Sequence, residues 1–122
     1  MIKQRSGVIL AFGGYGDPPR GHFLGGLQTA FQAVEAMRRQ LAVELGPYGI
    51  RTVTLRTGGV PESIQESFDR REQITRMLEE ASLLGRTATL EDVGNAAAFA
   101  ASDRGRTMTA ATVNVSCGAL LD

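Results

Sequence analysis

One long helical pattern lodged between two short apolar runs limits this chain to very few folds. Leu24, Leu27, Phe31, Val34, Met37, Leu41 and Leu45 recur at three- and four-residue steps, and Gly46-Pro47 supplies the stop. Before it lies Val8-Ile9-Leu10-Ala11-Phe12, a continuous apolar run closed by Gly13-Gly14, and after it lies Ile50 to Leu55. Both runs have the length and the β-branched content of strands. A connection long enough to hold such a helix cannot be a hairpin, so the two strands are expected to run parallel, with the helix as their right-handed crossover. The helix has a second face of small residues, Ala30, Ala33, Ala36 and then Val43. Apolar on two sides, it should be sandwiched between the sheet and something else.

The rest of the chain extends the same alternation. Residues 13–21 are dense in glycine and proline and read as a loop. Residues 60–85 are polar and helix-forming, with Ile64, Phe68, Ile74, Met77 and Leu78 as a weaker stripe, which predicts one or two short helices. Leu90 to Ser102 predicts a helix that Thr89 can cap, with Glu91 and Asp92 in its first turn where negative charge complements the helix dipole. Ala111 to Val115 predicts a last strand. The fold class expected is α/β, a half Rossmann-like unit of three parallel strands in the order β-α-β-α-β with helices on both faces, formed by residues 1–122 as one domain.

Charge and cysteine content narrow the functions. The 13 basic and 13 acidic side chains cancel, so neither a nucleic acid nor an anionic membrane is expected as partner. Twelve of the basic residues are arginine, and Lys3 is the one lysine. A single cysteine, Cys117, allows no internal disulfide, and no apolar run is long enough to span a bilayer. A cytoplasmic location is the expectation.

Several phrases, in order and at the right spacing, resemble the short-chain dehydrogenase/reductase family. They are Ala33-Val34-Glu35-Ala36, then Leu41-Ala42-Val43-Glu44-Leu45-Gly46-Pro47-Tyr48-Gly49-Ile50-Arg51, then Gly85-Arg86 with Glu91-Asp92-Val93, and the ending Val115-Ser116-Cys117-Gly118. The resemblance covers roughly Gly7 to Asp122 and corresponds to the family's last three strands and the helices between them. It implies a dinucleotide-dependent oxidoreductase ancestry. It also implies a catalytic Ser, a Tyr and a Lys, and in register these positions fall on Gly14, Leu27 and Phe31. None of the three side chains can donate or accept a proton. The family's Pro-Gly motif beside the nicotinamide becomes Thr57-Gly58 here, a vestige of the cofactor site. Gly13-Gly14-Tyr15-Gly16 lacks the spacing of a phosphate-binding turn and follows a different strand from the one the family uses.

Other candidates carry less. His22 is the one histidine, with Asp17 and Arg20 nearby, and no nucleophile or second ligand stands beside it. Tyr15 has no lysine at the spacing that would make it an acid, and a surface role is its simpler reading. Cys117 reads as a small buried hydrophobe. Leu27 and Phe31 read as an extension of the helix's apolar stripe into a core, the sharper alternative being that Phe31 plugs a vestigial nicotinamide pocket. No metal site is expected.

The functional expectation is therefore a reductase-like protein that is catalytically inactive alone and acts through self-association or a partner chain. No cofactor is expected for the chain by itself, and NAD(P) only with a complementing half. Homo-oligomerisation is expected through helix 22–46, the edge of strand 8–12, or both, because that edge is open and apolar. A full-length family relative is the other partner expected. Two alternatives stand beside this. In one, the chain supplies substrate-pocket and dimer elements to a separate cofactor-binding half of an oxidoreductase. In the other, a repurposed cleft has hydrolase-like activity. A truncated reading frame of a longer ancestor is a further expectation.

Overall fold

A computed structural model describes residues 1–13 and 23–121. The strands are β1 (Gly7–Gly13), β2 (Ile50–Arg56) and β3 (Ala111–Asn114), and the helices are α1 (Gly25–Leu45), α2 (Arg71–Ala81) and α3 (Leu90–Ala101). They form one parallel sheet in the order β1-β2-β3. The register places Ala11 beside Thr54 and Leu55 beside Val113. This is the half Rossmann-like α/β arrangement expected. Residues 60–85 hold a single-turn 3-10 helix (Pro61–Ser63) and α2.

β2 is central and almost wholly buried, whereas β1 and β3 are edge strands and only half-buried. Side chains alternate along β2, and its two faces differ in kind. Val53 and Leu55 share one face, and Leu55 packs with Ala88, Val93 of α3 and, around them, Val113, Val115 and Cys117. This is the apolar core. The opposite face carries Thr52 and Thr54, also fully buried, and α1 covers it.

A helix laid on a polar strand face must satisfy its hydroxyls. The Thr54 hydroxyl donates to Glu35 (2.8 Å), and the Thr52 hydroxyl donates to the carbonyl of Arg38 (3.3 Å). Glu35 is in turn held by the Arg38 guanidinium and by Nε of Arg39 (3.0 Å). Glu35 and Arg38 are the two buried residues of α1, and Nη1 of Arg38 finds no hydrogen-bond partner among the described residues. The apolar stripe expected at this interface is thus corrected. Leu24, Leu27 and Met37 lie on the exposed side, as do Ala30, Ala33, Ala36 and Val43, while Phe31, Val34, Leu41 and Leu45 are half-buried at the margins. The periodicity was that of a helix, but the centre of its sheet-facing side is an ion pair.

The ends of the helices follow their local chemistry. Thr89 and Asp92 form a reciprocal capping box at α3, and the Glu62 carboxylate accepts from the amide of Leu90 (2.7 Å), so the first turn of α3 is already supplied with acceptors. α1 starts at Leu24 with no side-chain cap. Its far end passes through Gly46–Tyr48 to Gly49, whose φ of 72° suits the residue without a Cβ.

Arg38, then Thr54 and Arg39, hold the Glu35 carboxyl down at about 2 against the opposing effect of burial. A carboxyl lowered in the folded state contributes stability that is full above its unfolded value near 4.5 and is lost as pH falls toward 2. Acid unfolding followed by circular dichroism should therefore show a loss of stability across that window. Glu35→Gln should flatten this dependence and, by leaving Arg38 buried without its counter-charge, lower stability at neutral pH by about 3 kcal/mol.

Candidate functional site

The parallel strands end together at one rim of the sheet, the place where ligands bind open α/β folds. β1 ends at Gly13 and β2 at Arg56, and Thr57 prolongs the ladder by donating its amide to the Gly13 carbonyl (3.1 Å). The turn Thr57-Gly58-Gly59 then leaves the sheet and is closed from behind. A Cβ on Gly58 would lie 2.6 Å from the Cβ of Ala119 and 3.1 Å from that of Ser116. A Cβ on Gly59, at φ 110°, would lie 2.8 Å from Leu78 of α2.

The segment behind this turn is fixed by its own polar groups. Nδ2 of Asn114 donates to the Leu120 carbonyl (2.8 Å), and Oδ1 of Asn114 accepts from the Ser116 amide (3.1 Å). The Ser116 hydroxyl accepts from the Leu120 amide (3.0 Å), and Arg56 donates to the Leu121 carbonyl (2.8 Å). Asn114 and Ser116 are thus occupied in holding the turn. Cys117 takes a left-handed φ of 55° and is half-buried against the Leu55 cluster, not fully buried as a small core residue would be. Its carbonyl accepts from the Ser82 hydroxyl (2.7 Å) and the Leu84 amide (3.2 Å).

Beside Cys117 runs a shallow groove of about 590 Å³, lined by Leu83, Leu84, Val115 and Gly118 with Arg86 and Asp92 at its rim. Arg86 and Asp92 pair at 3.1 Å. The Thr89 amide, and after it Arg86, keep the Asp92 carboxyl below the usual carboxylate range. Asp92 is therefore held ionised by its structural partners and is a poor proton donor.

Of the positions that the family resemblance assigns to catalysis, the structure describes two. Leu27 stands in the first turn of α1 with 48% of its surface exposed, so it extends no core, and Phe31 lies one turn on and is half-buried. Gly14 lies outside the described residues, as do Tyr15, Asp17, Arg20 and His22. Thr57 and Gly58 lie at this rim, with the Thr57 amide on the Gly13 carbonyl.

The residues described do not fit a dinucleotide. Leu27 and Phe31 offer no donor to a ribose. The N-terminus of α3 spends its amides on Thr89 and Glu62. No cluster of three metal-ligating side chains occurs among the described residues, and no helix there is long and apolar enough to cross a membrane.

Sequence reasoning passed over Glu35, Arg38 and Thr54, the buried polar set. The signal was present in Ile50-Arg51-Thr52-Val53-Thr54-Leu55, where threonines alternate with aliphatic residues and mark one polar strand face. A helix covering that face has to bring acceptors, and Glu35 with Arg38, three apart, does so.

Comparison with known proteins agrees with the fold. A family model described as enoyl-(acyl carrier protein) reductase matches residues 20–119. Tropinone reductase-like 3 of Erythroxylum coca is 33% identical over 119 residues, covering 96% of this chain and 45% of its own. The structure of an enoyl-(acyl-carrier-protein) reductase from Anaplasma phagocytophilum, in complex with NAD, superposes with a TM-score of 0.81 at 33% identity, covering 94% of this chain and 44% of that one. An oxidoreductase of the short-chain dehydrogenase/reductase family from Burkholderia thailandensis gives 0.82 at 29% identity, covering 98% and 47%. The chain thus spans a little under half the length of these proteins.

The closed turn makes its own prediction. Gly58→Ala should destabilise the protein by about 1–3 kcal/mol, the usual cost of forcing a methyl group into packed space. Ala119→Gly in the same chain should recover most of that loss in urea unfolding, since the nearest atom to the new methyl is the Ala119 side chain.

Proposed function

This chain belongs to the short-chain dehydrogenase/reductase family, and from that premise we propose that it is a member without catalysis of its own, acting by association with another polypeptide. The observation that carries the reading is the side-chain set at the catalytic positions. Leu27 and Phe31 stand where the family resemblance places the acid and its lysine, and neither can transfer a proton. Gly14, at the serine position, has no side chain to polarise a carbonyl. The reading also has support from what the chain leaves uncovered. Among the described residues β1 has a neighbour on one side only, and Leu27, Met37, Phe12 and Val43 each expose about half of their surface or more. A monomer rarely presents so much apolar surface without a use for it.

A second reading rests on the fact that the chain spans a little under half of its relatives' length. Here the missing neighbour of β1 is a separate cofactor-binding half, and this chain supplies pocket and interface elements to a two-chain NAD(P)-dependent oxidoreductase. The partner in that case brings the glycine-rich turn and the catalytic groups. The residues of this chain would supply only the rim at Thr57 and Gly58.

Thermal unfolding of the purified chain with NADH and NADPH separates the two. At 100 times a dissociation constant, a bound cofactor stabilises a fold by about 2.7 kcal/mol, which at this size raises the midpoint by several degrees. The association reading predicts no shift at millimolar cofactor. A saturable shift with the chain alone would overturn it in favour of a surviving dinucleotide site. A shift that appears only when a complementing half is added would establish the second reading.

A further inference from the structure

We draw no further inference here: the strongest candidate, the shallow apolar groove of about 590 Å³ between Leu83, Leu84 and the turn after β3 at Val115 and Cys117, is an uncovered face for which nothing in the structure shows an occupant, and its lone Cys117 thiol has no second group among the described residues that points to a ligand.

Discussion

The architecture depends on how α1 is docked, and α1 is docked by polar groups. Thr52 and Thr54 give the inner face of β2 two buried hydroxyls, and α1 meets them with the Glu35 carboxylate and the Arg38 carbonyl. Apolar packing is non-directional and would let a helix roll or slide by a residue. Hydrogen bonds to two strand positions do not. Once Glu35 is tied to Thr54, the rotation of the helix is set, and with it the flank that turns to the open side. The arrangement is a costly one, since two charges leave water and one guanidinium nitrogen lacks a partner among the described residues. What it secures is a fixed orientation.

Much of this was legible in the sequence, and the failures have physical causes. The three strands, the crossover helix and the capped helix at Leu90 were all marked by periodicity, glycine stops and Thr89. Parallel pairing followed from connection length alone. The identity of the buried side of α1 did not follow. Apolar residues fall on two sides of α1, so hydrophobicity alone could not say which side meets the sheet. The decisive information sat in another element, the alternating threonines of β2, and only pairing the two elements reveals that Glu35 belongs inside. The stripe from Leu27 to Leu41 was visible as a stripe, but its place on an outer flank, and not in the core, required the docked orientation.

The candidate site shows the same division. Counting back from Leu41-Ala42 along one uninterrupted helix, the family resemblance puts Leu27 and Phe31 at the catalytic positions. Nothing in the sequence could show that Gly58 backs onto Ala119, or that Asn114 and Ser116 spend their hydrogen bonds on the closing turn. Those contacts join residues far apart in the chain. They account for a rim that keeps the backbone course expected of a reductase while its polar side chains are committed to holding structure. Family membership fixes the scaffold, whereas activity depends on side chains at particular places on it. The family resemblance places Leu27 and Phe31 at the positions of the acid and its lysine, and of the two it is Leu27 that is exposed, at 48%.

If association covers the exposed apolar surface, stability cannot be a property of the single chain. The most direct measurement is the thermal midpoint as a function of protein concentration, from about 1 to 100 μM, since binding that favours the folded state makes the midpoint depend on concentration. The account predicts a midpoint that rises by several degrees across this range. A midpoint independent of concentration, with cooperative unfolding at every step, would mean that the open edge and the exposed flank are tolerated in isolation and would contradict it.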